Sequence, residues 1–325
     1  MDLRDALIDG WQRGFPLVRE PFAAIADRLG AREVDVLRAC TRLHEDGVLG
    51  RIGGLFGAGA GGAGALAALA VPRERLAEVA ARVSARPGVN HNYEREHRWN
   101  LWFVVHAADA EALARTLDAI GHEAALPMLR LPMRRAYRID LGFDRRGAVA
   151  NAVTTTRGEA PAPLAEADWP LAARVEAGLP LVPRPFDTWA AELGQPPAAV
   201  LGRLRFWLLD GTLRRFGLVV RHHELGFDAN AMAVFAPPEE CIDACGAALA
   251  RESGVTLAYR RECAPGWPYT LYAMLHGRDR TSVRALAAEV IERSGLSNAP
   301  HELLFSVRRF KQTGARRFRA MADAL

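Results

Sequence analysis

Apolar residues recur at helical spacing over 2–13, 22–29 and 33–45. The third run stops at Asp46-Gly47, where glycine supplies a left-handed cap. Two short stretches follow, 48–51 and 53–56, and the pattern predicts three helices and a β-hairpin, a winged helix-turn-helix. Beyond residue 62 the period alternates. Residues 65–71 are apolar, 73–86 are helical in pattern, and 89–93 and 100–106 read as strands. A helix over 109–122, with Asp109 as N-cap, and a strand over 130–139 complete the set. The order β-α-β-β-α-β is the ferredoxin-like split unit. It returns later, with strands at 231–235, 255–260, 269–275 and 301–310 and helices at 239–252 and 280–294.

The return is an internal duplication. Gly14-Phe15-Pro16-Leu17-Val18 aligns with Gly178-Leu179-Pro180-Leu181-Val182 at an offset of 164 residues. The same offset aligns Pro21-Phe22 with Pro185-Phe186 and Asp46 to Gly53 with Asp210 to Gly217. Farther on the offset drifts at loops: Tyr93 meets Tyr259, and Arg134-Arg135 meets Arg308-Arg309. The expected fold class is α+β, a tandem duplication of a winged helix-turn-helix plus a ferredoxin-like domain. The expected boundaries are 1–62 and 63–144 for copy one, a linker at 145–168 rich in Gly, Ala, Thr and Pro, then 169–226 and 227–325 for copy two.

Composition narrows the class only a little. Half the 325 residues are hydrophobic and a quarter are charged, as in an ordinary globular protein. The net charge is +4, and arginine carries it, because Lys311 is the single lysine. Arginine offers a planar fork suited to carboxylate or phosphate, although a codon bias would produce the same preference. Four cysteines without a C-x-x-C read as thiols in a reducing cytoplasm. No apolar stretch is long enough to span a membrane, and no signal segment opens the chain. Neither Cys nor His falls at zinc-ligand spacing, so no metal site is expected.

Particular segments carry chemistry. One is His91-Asn92-Tyr93-Glu94-Arg95-Glu96-His97-Arg98-Trp99-Asn100-Leu101-Trp102-Phe103. A second runs from Arg214-Arg215-Phe216-Gly217 to Arg221-His222-His223-Glu224, and a third is Leu304 to Lys311. The two-part architecture resembles the Lrp/AsnC family of transcription regulators, and the segments are similar to the signature of siroheme decarboxylases, an offshoot of it. The duplicated chain resembles their fused form, used in heme d1 synthesis. Where copy two has Val220 to Glu224, copy one has the glycine run Phe56 to Gly64, which reads as a flexible loop or as room for a flat macrocycle.

The resemblance implies loss of carbon dioxide from two acetate side chains of siroheme, at C12 and C18, giving 12,18-didecarboxysiroheme in heme d1 or alternative heme synthesis. The macrocycle can hold the electron pair left behind, so no separate cofactor is expected, and the siroheme iron enters with the substrate. The protein must supply cationic forks and a proton. Arg51, Arg95, Arg98, Arg214, Arg215 and Arg221 are candidates for carboxylate binding, with Tyr93 and Trp99 against the ring. His222 and His223 are the first candidates for proton donor, followed by His97 and His91. Other histidines read as structural. The expected partner is siroheme itself, in an internal pseudo-dimer that could pair with a second copy or with other heme d1 enzymes. A DNA-binding regulator is the alternative, together with a non-catalytic tetrapyrrole carrier. Against DNA, the would-be recognition helices open with Glu33-Val34-Asp35 and with Pro196-Pro197-Ala198. The second also carries Phe206-Trp207-Leu208-Leu209, expected to pack inward.

Overall fold

Both sequence copies contribute to each of two structural units. The computed structural model describes residues 2–57, 59–139, 162–220, 229–315 and 317–322. The first copy forms α1 (Leu3–Trp11), α2 (Pro21–Leu29), α3 (Glu33–Glu45), β1 (Leu49–Phe56), β2 (Ala63–Leu69), α4 (Leu76–Ala85), β3 (Val89–Arg95), β4 (Leu101–Ala107), α5 (Ala110–Ala124) and β5 (Met128–Ile139). The second repeats the order. It forms α6 (Trp169–Ala177), α7 (Pro185–Glu192), α8 (Pro197–Leu209), β6 (Leu213–Val220), β7 (Ala229–Phe235), α9 (Ile242–Leu249), β8 (Val255–Arg261), β9 (Leu271–Gly277), α10 (Arg280–Arg293) and β10 (His301–Gln312), with α11 (Arg317–Ala322) after it. One unit gathers the described residues of Met1–Gly61, Glu159–Leu225 and Arg316–Leu325, and the other those of Gly62–Gly158 and Gly226–Ala315.

In the helical unit the local signals act as expected. Asp2 caps α1 by accepting from the Arg4 amide, Pro21 opens α2, and Gly30 ends it at φ 62°. The hairpin expected in each copy does not form. Residues 49–56 run as one strand, and β1 pairs antiparallel with β6, its counterpart in the other copy. At the centre Gly53 faces Gly217. A Cβ on Gly53 would stand 2.6 Å from the Val175 carbonyl oxygen, and one on Gly217 would press on Trp11 O and stand 2.6 Å from Gln12 O. Both glycines therefore let a helix end lie directly on the ribbon. On α8 only the positions at core spacing are covered. Trp207 is 1% exposed, whereas Phe206 and Leu209 are 53% and 86% exposed, which corrects the expectation that the whole run packs inward. Helical periodicity gives Val200, Leu201, Leu204 and Trp207 the inner face and turns Phe206, Leu208 and Leu209 out.

The glycine run is held in place where it is described. The Leu164 amide donates to Ala60 O, and a Cβ on Gly61 would meet the Phe318 ring at 2.8 Å. Phe318 is fully buried beside Phe56, with ring centroids 4.7 Å apart. Glu176 lies beneath it and accepts from the Phe318 amide at 3.0 Å. The expected linker lies outside the described residues up to 161, and Glu166–Asp168 form a short 3-10 turn.

The other unit is a closed eight-stranded barrel in the order β10-β3-β4-β2-β5-β8-β9-β7. Within it each copy keeps the ferredoxin-like order, β3-β4-β2-β5 and β8-β9-β7-β10. Closure comes from two long strands. Strand β5 runs from β2 to β8: residues 128–132 pair with β2, and residues 133–139 pair with β8 of the other copy. Reciprocally, 301–305 of β10 pair with β7 and 306–312 with β3. This register makes Arg135 equivalent to Arg308, so the alignment of Arg134-Arg135 with Arg308-Arg309 is one residue out. Both barrel faces are buried. Leu101, Phe103 and Val105 pack under the helices of copy one, as Leu271, Ala273 and Leu275 do in copy two. Trp102, Tyr272, Leu131, Val234 and Leu304 fill the interior. Among the described residues no helix is long and apolar enough to cross a membrane.

Two stability predictions follow from the helical unit. Gly217→Ala lowers stability by about 1–3 kcal/mol, the penalty of forcing an atom into packed backbone, measurable by chemical denaturation. Unchanged stability would contradict the close approach. Burial raises Glu176 to about 7 from the usual 4.5. A carboxyl raised on folding stabilises fully below its unfolded value, and that contribution is lost as pH rises through the folded one. Thermal melts should show Glu176→Gln gaining on the native chain between pH 5 and 8, and a constant difference across that range would refute the burial effect.

Candidate functional site

Strand alternation decides which side chains of the first motif reach the barrel interior. Asn92 points outward, its amide donating to Ala80 O and Ser84 Oγ at 3.0 Å each on α4. His91, Tyr93 and Arg95 take the opposite face. His91 and Tyr93 stack with ring centroids 6.2 Å apart and 16° between planes. The Arg95 guanidinium stands 5.7 Å from the Tyr93 ring centre, and its Nη1 donates to Leu304 O at 2.9 Å. Copy two presents Leu257, Tyr259 and Arg261 at the matching positions, since Leu257 pairs with Met274 and Tyr259 with Tyr272 as His91 pairs with Val104 and Tyr93 with Trp102.

The two turns after β3 and β8 close one end of the interior with Trp99, Trp267 and Tyr269. Away from those turns His91, Tyr93, Leu257 and Tyr259 keep part of their surface accessible. Two further side chains join from β10. Arg309 pairs with Tyr93 and Gln312 with His91, and Arg309 Nη1 donates to Gln312 Oε1 at 3.1 Å.

Burial sets the protonation states. It pushes His91 down to about 4, so the free imidazole is neutral at neutral pH. It lowers Arg95 only to about 10, which leaves the guanidinium charged. Tyr93 is raised by burial against the opposing pull of Arg95 and Arg309, and Tyr259 is raised to about 12.

His97 belongs to the turn rather than to the β3 face. Its Nδ1 accepts from the Trp99 amide at 3.0 Å, so the neutral ring carries its proton on Nε2, 3.1 Å from Glu302 Oε2. Glu302 also accepts from the Tyr269 hydroxyl at 2.7 Å. The Nε2 contact thus ties copy one to copy two, while the Nδ1 contact fixes the turn within copy one. Arg98 donates to Gly266 O at 2.8 Å, and Trp99 is 9% exposed with its indole nitrogen buried.

The remaining candidates divide between the helical unit and the undescribed segment. Arg51 and Arg215 occupy equivalent places on β1 and β6. Arg51 donates to Gly54 O at 3.4 Å, and buried Arg215 donates to Gln12 O at 2.5 Å and Leu218 O at 3.3 Å. Arg214 is half-buried on β6, and burial lowers its pKa. Arg221, His222 and His223 lie outside the described residues. At the first turn of α3, Arg32 and Arg38 both turn onto Asp35, at 2.7 and 3.4 Å. A small cleft outside the barrel, between α4 and α5, is lined by Arg75, Arg82, Arg86 and Glu123 and touches none of these candidates.

Sequence reasoning missed Tyr259, Arg261, Arg309 and Gln312. The repeat itself could have found the first two, because the offset that matches Tyr93 to Tyr259 matches Arg95 to Arg261. Arg309 and Gln312 follow only from strand register.

Known proteins bear on the chain at this point. The family profile of an AsnC-like ligand binding domain matches residues 60–138 and 224–311. That of the siroheme decarboxylase NirDL-like HTH domain matches residues 5–49. The chain is 43% identical to the siroheme decarboxylase NirDL subunit of Paracoccus denitrificans, over 97% of this chain and 96% of that one. It is 51% identical to the siroheme decarboxylase NirD subunit of Stutzerimonas stutzeri, over 42% of this chain and 90% of that one. The crystal structure of the siroheme decarboxylase NirDL in co-complex with an iron-uroporphyrin III analogue superposes with a TM-score of 0.69 at 30% identity, over 99% of this chain and 96% of that one.

The His97 geometry makes its own prediction. Burial lowers the imidazole below its usual 6.5, while Glu302 pulls it upward. An NMR titration of Glu302→Gln should show His97 lowered further, and an unmoved midpoint would break the assigned contact.

Proposed function

The chain belongs to the siroheme decarboxylase NirDL family and is a carboxy-lyase, and we propose that its barrel interior is where siroheme loses carbon dioxide from the C12 and C18 acetates to give 12,18-didecarboxysiroheme. The observation that carries the site assignment is the single face of β3, which sets a neutral imidazole, a phenol and a charged guanidinium side by side. The fused two-copy chain fits the heme d1 branch.

In each event the bond between methylene and carboxylate carbon breaks. Carbon dioxide leaves, the electron pair stays on the methylene carbon, and one proton completes a methyl group. No electron is gained or lost overall. The conjugated ring delocalises the pair, so this reading assigns no separate cofactor. Arg95 binds a substrate carboxylate through N–H groups that the Leu304 carbonyl does not take, which fixes the ring against Tyr93. Carboxylates brought beside His91 favour its charged form and oppose the burial that holds it neutral. Substrate binding therefore loads the proton that the methylene carbon needs. Arg51, Arg214, Arg215, Arg98 and Trp99 then serve the scaffold, Arg221 stays a proposed carboxylate binder, and His222 and His223 stay proposed proton donors beside His91.

Related proteins named as separate subunits correspond to parts of this chain, and here the pairing is internal. A second copy, or another heme d1 enzyme, would associate outside the barrel. Free thiols at all four cysteines fit a reducing cytoplasm.

The test is anaerobic incubation with siroheme followed by mass analysis of the pigment. Loss of two carbon dioxides is expected. Unchanged bound pigment would make the protein a carrier, and salt-sensitive duplex binding without pigment affinity would make it a regulator. His91→Leu should lower saturated turnover about 10²–10⁴-fold, the usual worth of a general acid. Turnover kept in His91→Leu but lost in the His222→Ala, His223→Ala double variant would move the donor to the copy-two segment.

A further inference from the structure

Barrel register allows the two copies to be compared position by position on the inner face of one barrel. The Tyr–Arg pair is present twice. Arg95 Nη1 donates to Leu304 O at 2.9 Å, and Arg261 Nη1 donates to Leu131 O at 3.0 Å. Those two carbonyls occupy matching places, because Leu304 pairs with Met232 as Leu131 pairs with Leu66. Each guanidinium also stands over its own tyrosine, at 5.7 Å for Tyr93 and 5.2 Å for Tyr259. One N–H of each fork is held by backbone, and Arg95 Nη2 also reaches Met274 Sδ at 3.9 Å, which fixes the fork beside its tyrosine. The imidazole is not repeated. Leu257 stands where His91 does, and Ala136 faces Tyr259 where Arg309 faces Tyr93.

We propose that the barrel grips its substrate from both copies but reacts with it on one side. Tyr93 with Arg95 and Tyr259 with Arg261 anchor carboxylates at opposite edges of the ring, and His91, on the same strand face as Tyr93 and Arg95, serves the acetate that reacts. The proposal rests on the siroheme reading and extends it to Arg261, a binding residue with no proton to deliver. A flat polycarboxylate has acidic groups on every edge, so paired forks across a pseudo-two-fold axis hold it without regard to which edge enters first. Leucine at 257 has no titratable atom, and so the second pole binds without reacting.

The experiment separates affinity from chemistry. Siroheme titration followed by absorbance gives the dissociation constant, and single turnover at saturating pigment gives the rate. Arg261→Met should weaken binding by about tenfold or more, as expected for a lost charge-assisted hydrogen bond. Its saturated rate should stay within about twofold of the native rate. Arg261→Gln keeps a donor for the Leu131 carbonyl while removing the charge, and should show the same split if the methionine variant does not fold. His91→Leu should show the reverse, with affinity nearly kept and the saturated rate down about 100-fold or more. A saturated rate in either Arg261 variant as low as that of His91→Leu would place chemistry at both poles and overturn the proposal. Unchanged affinity in both would remove the anchor and overturn it equally. Native protein that leaves siroheme intact would instead overturn the functional reading itself.

Discussion

Backbone hydrogen bonding across the two copies is the constraint on which the architecture depends. A ferredoxin-like sheet has two edges, and each unpaired edge leaves a row of amides and carbonyls without partners. Here the second half of β5 covers the β8 edge and the second half of β10 covers the β3 edge. Each copy therefore ends its own sheet by completing the other. Closure abolishes all edges at once, and it encloses a surface that would face solvent in a single copy.

That enclosed surface explains the composition of the strands. A strand covered on one side alternates apolar with polar residues, whereas β4 reads Leu-Trp-Phe-Val-Val without a polar interruption, because helices cover one face and the opposite copy covers the other. It also explains how a charged residue such as Arg95 comes to be buried. The guanidinium crosses from copy one to a carbonyl and a thioether of copy two, Leu304 O and Met274 Sδ. Low polarity around His91 and Tyr93 is the same effect, read as depressed and raised proton affinity.

The helical unit follows a parallel logic on a smaller scale. β1 finds its partner in β6, and the glycine pair at the centre admits a helix end from each copy. Arginines at equivalent positions then bind nearby carbonyls and stiffen the ribbon. These features suit a unit that holds two halves together. Its third helices open on acidic residues in copy one and on prolines in copy two, and Arg32 and Arg38 both turn onto Asp35.

Local sequence determined most of the elements and their order. Periodicity, the Asp46-Gly47 stop, the Asp109 cap and the two-copy offset are short-range signals, and helix α3 and the four strands of each half lie within a few residues of where they point. The interior triad was legible too, because alternation puts residues 91, 93 and 95 on one face whatever surrounds them. Pairing was not legible. An isolated strand at 49–56 looks like the two arms of a hairpin, since nothing nearby says that its partner lies more than 150 residues away. Likewise Arg309 and Gln312 reach His91 and Tyr93 only through bulged register between strands of different copies. Which backbone edge meets which is a long-range choice made by closure of the whole barrel, and that choice turned one repeated motif into two unlike poles.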